Sequence, residues 1–171
     1  FDNSQVASYL NKRSKNIEII DDIYTSSTQN VDGTIKSLCV ESGLELDVDL
    51  VIDCSGFKKL IIGDVFKTKW ISYQDNLPVN RAMPFFLDIK EENYINYTLA
   101  WAQKYGWMWQ IPTQERIGAG YVYCDQFISP DQAQEEIEKV LGHKIEPRRD
   151  IRFNSGRSVS YTHLRAHETP C

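Results

Sequence analysis

The sequence has no Cys-x-x-Cys pair. Cys39, Cys54, Cys124 and Cys171 are widely spaced, which excludes the common zinc patterns, makes a poor disulfide framework and leads us to expect a reducing cytoplasm. No apolar run approaches the ~20 residues that cross a bilayer, so no membrane association is expected. A basic n-region and a long apolar h-region are both missing, so no signal peptide is read. Positive charge is not in excess. A net charge of -5 and a pI near 5.2 argue against a nucleic-acid-binding face, and Arg148-Arg149 is too short a basic run to change that. The chain opens Phe1-Asp2-Asn3-Ser4 without an initiator methionine, so it is expected to begin inside a longer reading frame. Repeats and low-complexity segments are absent, and no Gly-x-Gly-x-x-Gly opens the chain.

What is present is an ordinary globular composition, with 42% hydrophobic and 25% charged residues in 171, enough for one domain or two small lobes. Asp2, Asn3 or Ser4 can cap a helix, in which Val6, Tyr9 and Leu10 form an apolar stripe that ends near residues 14–16. Residues 17–20 and 23–27 read as short β-branched strands. Asp32-Gly33 is a hairpin signal. Strands at 35–41 and 44–48 follow, separated by Ser42-Gly43, in a small antiparallel meander. Leu50, Val51 and Ile52 form a continuous apolar run, expected of a strand buried on both faces. It ends in Asp53-Cys54-Ser55-Gly56-Phe57. Small residues at the carboxyl end of a buried strand let a ligand approach the backbone, or Gly56 simply adopts a positive φ. Both readings stay open.

Residues 58–66 read as a short helix broken at Gly63, and residues 76–87 as extended chain with edge prolines. Glu91 to Tyr94 reads as a polar turn. From Tyr97 to Cys124 the pattern is β, with strands at 98–102, 107–112 and 117–124. Gly118 and Gly120 share a face and would let Trp107 or Trp109 come close from the neighbouring strand. Ser129-Pro130 is a strong helix start, and Gly142 ends that helix. Ala133, Ile137, Val140 and Leu141 form its buried face, while Glu135, Glu136, Glu138 and Lys139 read as a solvated one. Residues 150–153 read as a last short strand.

The stretch Gly106-Trp107-Met108-Trp109-Gln110-Ile111-Pro112 holds two of the four tryptophans. In a strand, alternate residues share a face. Trp107, Trp109 and Ile111 then form one apolar wall, with Met108 and Gln110 on the other side, and Pro112 ends the run. The wall is either a core stripe or one side of a ligand pocket.

Asp53-Cys54-Ser55-Gly56-Phe57, the Trp-x-Trp-x-Ile-Pro stretch, Gly118-Ala119-Gly120-Tyr121-Val122-Tyr123 and Gly156-Arg157 occur in that order. Together, over residues 1–157, they resemble the flavin-dependent tryptophan halogenase family. The resemblance implies a mixed α/β (α+β) fold: residues 1–66 as the C-terminal part of a Rossmann-like FAD-binding lobe of the flavoprotein monooxygenase type, and residues 67–157 as a β-rich substrate lobe with one helix near 130–141. It implies reduced FAD from a separate flavin reductase, oxygen, a halide ion and a small electron-rich aromatic substrate such as tryptophan. In the family, hypohalous acid travels through a tunnel to a lysine that passes it to the ring. By matching position, Trp107, Trp109, Ile111 and Pro112 take the part of the active-site wall. Asp53, Cys54, Ser55 and Gly56 lie near FAD, and Ile23 falls near a position on its adenine side.

The resemblance also places the pyrophosphate loop and the catalytic lysine upstream of this chain. None of Lys12, Lys15, Lys36, Lys58, Lys59, Lys67 or Lys69 sits in the matching context. The segment is therefore expected to be an inactive piece of an enzyme, with no catalytic residue of its own. Residues 158–171 read as a non-native, adaptor-like tail; His163 and His167 could share a helix face, but without a third ligand no metal site is expected. Two alternatives remain: another monooxygenase-like flavoprotein, or a non-catalytic β-rich module that holds an apolar ligand on its Trp wall.

Overall fold

A computed structural model describes residues 3–89 and 95–159. The expected turn at Glu91 to Tyr94 and most of the expected tail, with His163 and His167, lie outside the described residues. The fold mixes helix and strand and divides into two compact units, Asn11–Trp70 and Ile71–Arg157, the latter joined by the start of the chain up to Leu10.

The first unit is built on the meander. Strands β1 (Tyr24–Gln29), β2 (Ile35–Val40) and β3 (Glu45–Asp47) pair antiparallel in the order β1-β2-β3. Gly33 (φ 85°) and Gly43 (φ 88°) make the two turns, where Asp32 Oδ1 accepts from the Thr34 N–H at 3.0 Å. Ser37 is the buried residue of the sheet; its hydroxyl bonds Thr28 on β1 and Glu45 on β3.

Three expectations fail in this unit. Residues 17–20 form no strand, and Ile17, Ile19 and Ile20 are exposed. Nor do residues 50–52, with Leu50 62% and Ile52 80% exposed. A two-sided buried strand needs a ladder partner on each edge and cover on each face, and among the described residues nothing pairs with this run. Gly63 breaks no helix: Leu60–Val65 is a π-helical segment that runs through it, with bonds from Asp64 N to Lys59 O and from Phe66 N to Ile61 O.

The second unit holds a five-stranded sheet in the order β6-β7-β8-β5-β9. These strands are β5 (Arg81–Leu87), β6 (Leu99–Gln103), β7 (Gly106–Pro112), β8 (Ile117–Tyr123) and β9 (Ile151–Arg152), all paired antiparallel. A separate ladder joins β4 (Trp70–Ser72) to β10 (Gly156–Ser158). β5 was expected as extended chain with edge prolines; instead it lies between β8 and β9. Pro84 is tolerated because a residue's N and C=O point to the same neighbour in an antiparallel ladder. Its carbonyl accepts from Arg148 N at 2.9 Å, so its nitrogen faces away from β8, towards the side where β9 pairs only with Arg81 and Ala82.

Two helices complete the described fold. α1 (Asn3–Arg13) has no buried residue, so its Val6, Tyr9 and Leu10 stripe is exposed. α2 (Pro130–Leu141) starts as expected. Ser129 accepts from Gln132 N at 3.3 Å while the Gln132 side chain accepts from Ser129 N at 3.1 Å, a capping box. Gly142 closes it at φ 76°. Ala133 and Ile137 are fully buried, in one core with Met83, Phe85, Met108, Ala119, Tyr121 and Tyr123. Val140 is 38% exposed, since it lies at the rim of the covered face. Glu138 departs from the solvated face expected for it and is buried. It accepts from Lys144 Nζ at 2.6 Å, from Gln134 Nε2 at 2.8 Å and from Ile145 N at 3.2 Å. The Lys144 and Gln134 bonds hold its carboxyl at about 2, so a buried charge is fully paired. Glu136 ties the same helix to the sheet through Tyr121 OH at 3.3 Å and Lys104 N at 3.0 Å.

Candidate functional site

Strand alternation gives the five-stranded sheet two different faces. The register sets Met108 opposite Tyr121 and Gln110 opposite Ala119, with Met83 and Phe85 continuing that face on β5. This is the face covered by α2, and Met108 is 0% exposed. Trp107, Trp109 and Ile111 fall on the opposite face, with Trp107 40% and Ile111 46% exposed. The tryptophan stripe therefore lies outside the core packed under α2.

The cross-strand pairs extend this wall. Trp107 lies between Ala102 on β6 and Val122 on β8; Trp109 lies between Ala100 and Gly120. Phe86 on β5 pairs with Gly118, which pairs in turn with Ile111. By strand parity every residue of this face is apolar, from Ala100 and Ala102 to Pro84 and Phe86. The Arg116 guanidinium sits 3.8 Å from the Phe86 ring centre and caps that end. The two indole centres are 6.1 Å apart with their planes at 57°, a tilted pair of the kind aromatic rings favour. Pro112 closes the strand on the other parity, paired with buried Ile117. Sequence reasoning missed Ala100, Ala102, Pro84 and Phe86 as wall residues. The Ala-x-Ala spacing was a signal for the first two; the pairing of β5 with β8 joins residues far apart in sequence and left none.

The second candidate element lies in the other unit and is described by itself. Asp53 and Ser55 fold the turn after residues 50–52 back onto the π-helical segment. Asp53 Oδ1 accepts from Ser55 N at 2.9 Å, and Oδ2 accepts from Ile61 N at 2.9 Å and Ile62 N at 3.2 Å. Ser55 Oγ accepts from Leu60 N at 2.9 Å. Together they satisfy three N–H groups that open the segment. Burial raises the Asp53 pKa, but the bonds from Ser55, Ile61 and Ile62 outweigh it and hold the carboxyl at about 2. Gly56 takes a left-handed φ of 63°, and a Cβ there would meet nothing within 4 Å, so torsion rather than space calls for glycine. Cys54, Gly56 and Phe57 are exposed. Lys59 adopts the same left-handed region at φ 52° and sets its ammonium 3.9 Å from the Trp70 ring centre. Ile23 is exposed just before β1, with its N–H on Asp22 Oδ1 at 2.7 Å. The turn exposes the small residues Cys54 and Gly56, which leave room for a group to approach, while Asp53 serves the turn's own backbone.

The Asp53 carboxylate carries a pH prediction. Its folded pKa lies below the unfolded value of ~3.9, so its stabilisation is complete above about pH 4 and is lost as pH falls towards 2. Asp53→Asn is expected to destabilise the first unit by ~1–2 kcal/mol at pH 6. Urea melts of both proteins should converge near pH 2; a gap that persists there would show that the charge is not the cause.

Among the described residues no group of three or more His, Cys, Asp or Glu side chains could hold a metal ion. No helix among them is long and apolar enough to cross a membrane. Cys39, Cys54 and Cys124 are free thiols.

The sequence profile of tryptophan halogenase matches residues 1–166, and the chain belongs to that family. It is 34% identical over 167 residues to tryptophan 7-halogenase KtzQ of Kutzneria sp. (strain 744), covering 92% of this chain and 31% of that protein. To tryptophan 6-halogenase ThaL of Streptomyces albogriseolus it is 32% identical, again over 92% of this chain and 31% of the relative. The crystal structure of tryptophan 6-halogenase SttH from Streptomyces toxytricini superposes with a TM-score of 0.83 at 30% identity, over 93% of this chain and 32% of that one. The chain thus spans about a third of the length of these relatives.

Proposed function

We propose that this chain is the central piece of an FAD-dependent halogenase that uses reduced flavin, oxygen and halide to halogenate an electron-rich aromatic ring such as that of tryptophan. The observation that carries the reading is the Trp107-x-Trp109-x-Ile111-Pro112 strand, which sets Trp107, Trp109 and Ile111 on a wholly apolar sheet face with Trp107 and Ile111 exposed, in a chain of this family. A separate flavin reductase supplies the reduced cofactor, in a cytoplasm where the free thiols stay reduced. When bound, FAD supplies the oxidising chemistry that turns halide into a halogenating agent. Asp53, Cys54, Ser55 and Gly56 form part of its edge, with Asp53 holding the turn in shape, and Ile23 lies towards the adenine end. Trp107, Trp109 and Ile111 exclude water and present a flat apolar surface, which favours passage of a small neutral oxidant over its reaction in solvent. The pyrophosphate loop and the lysine next to the substrate belong to the rest of the enzyme, so the chain alone is inactive.

A chimera tests this. The matching third of SttH is replaced by residues 1–157 and supplied with reduced FAD, chloride and tryptophan. Chlorinated tryptophan is the expected product, and Trp107→Ala in the chimera is expected to lower its yield at least ~10-fold, about 1.4 kcal/mol in the barrier. The purified chain by itself should give none. A folded chimera that retains FAD but makes only hydroxylated product would favour a monooxygenase. Apolar ligand binding by the chain without flavin, with no product from the chimera, would favour a binding module.

A further inference from the structure

We propose that Gly120 is a positioning residue for Trp109: its missing side chain is the seat on which the indole lies. The inference deepens the reading of Trp109 as part of a ligand wall and rests on that reading for its functional meaning. Gly120 stands directly opposite Trp109 in the β7–β8 register. A Cβ built on it would lie 2.1 Å from Trp109 Cη2, 2.2 Å from Cζ2 and 2.7 Å from Cζ3. All three atoms belong to the six-membered ring, so the indole reaches across β8 and lies over the Gly120 Cα.

Backbone torsion does not call for glycine here. The glycines with positive φ are Gly33, Gly43, Gly56 and Gly142; Gly120 is not among them, so an L-residue fits its backbone torsions. A strand interior normally disfavours glycine, which loses more conformational freedom on folding than alanine and packs nothing. The neighbouring Gly118 differs: its Cβ would meet only Ile111 O, at an ordinary 3.8 Å. Gly106 differs in the other direction, since there the obstructing atoms are backbone. Of these three glycines, only Gly120 is matched to a movable ring. A methyl group there would push the indole off the strand and change its 57° tilt and 6.1 Å separation from Trp107.

The sign of a stability change isolates this role. In the unaltered chain, Gly120→Ala forces the ring to swing out and is expected to lower Tm by roughly 3–8 °C. In a Trp109→Ala background the obstacle is gone. The same substitution should then leave Tm unchanged or raise it by roughly 1–3 °C, as a sterically free Gly→Ala replacement does. The second readout is circular dichroism of the Trp107–Trp109 pair, defined by subtracting the spectrum of Trp109→Phe. Gly120→Ala should reduce or invert that couplet by more than about half while unfolding stays cooperative. Equal Tm losses in both backgrounds, or an unchanged couplet, would overturn the proposal. So would failure of the double variant to fold, since the added methyl would then act through the backbone. Both measurements use this chain without flavin or substrate, so an inactive chimera would leave them standing, and their failure would leave the halogenase reading untouched.

Discussion

Gly106→Ala is expected to destabilise the second unit by ~3–5 kcal/mol, at the upper end of single-residue effects. Gly106 opens β7 opposite Tyr123. A Cβ on it would sit 1.8 Å from Val122 O, 2.8 Å from Val122 C and 2.9 Å from Tyr123 Cα. All three atoms are main chain of β8, which is hydrogen-bonded on both sides, to β7 and to β5. A side chain can rotate away from a methyl group, but a paired strand cannot. Relief requires β7 to separate from β8 at its first pair, next to the fully buried Met108 and Tyr121, and core packing tolerates such shifts poorly. With ~2–4 °C of Tm per kcal/mol for a chain of this size, the loss is roughly 6–20 °C. Thermal denaturation gives the answer, and a Tm within a degree of the parent would show that the strands are not so closely paired. The Trp109→Ala background should bring no relief, in contrast to Gly120.

The second large effect is expected at Arg81. This residue is 6% exposed at the start of β5, with Nη1 2.8 Å from Asp150 Oδ2 and Nε 3.3 Å from Asp125 Oδ2. Asn80 holds Asp125 through its Nδ2 at 2.7 Å and accepts from Asp125 N at 3.1 Å. Tyr123 OH donates to Asp150 at 3.4 Å, and burial, reinforced by Asp150, pushes the Tyr123 phenol up to about 12. One buried guanidinium thus holds the segments after β8 and before β9 against the same strand end. Arg81→Ala leaves two carboxylates facing a cavity with no cation between them. The expected cost is ~3 kcal/mol; fully buried pairs lose more, and the partial exposure of the two aspartates moderates it. Converting Asp125 and Asp150 to Asn in the Arg81→Ala protein should recover a measurable part in a urea melt. If the triple variant is no more stable than the single one, the loss comes from packing of the arginine stem.

Much of the second unit was legible in the sequence because its signals are local. Ser129, Pro130 and Gly142 act on N–H and C=O groups within one turn of themselves, and the alternation of Trp107, Trp109 and Ile111 follows from the strand alone. Which of the two strand faces would be covered was not legible. That depends on α2 docking over Met108 and Tyr121, a contact between residues distant in sequence. Glu138 was misread for the same reason, since its burial depends on Lys144 and Ile145 returning over the helix. The run at residues 50–52 forms no strand because burial on both faces needs ladder partners that the described residues do not provide; its apolar composition reports only a tendency to be buried. The Asp53 turn lay between: its small residues marked the place, but the carboxylate accepts from Ile61 and Ile62, eight and nine residues on, only once the chain is folded.

The two unlike faces of the five-stranded sheet have a consequence for how this part of the protein can change over generations. Stability resides on the α2 side, in Met83, Phe85, Met108, Tyr121 and Ile137. On the other side, Ala100, Ala102 and Ile111 are exposed, and surface replacements away from special contacts usually stay within about ±0.5 kcal/mol. Replacements at these three positions, away from the Trp109–Gly120 contact, therefore cost the fold little. That surface can vary in sequence while the core beneath α2 stays fixed.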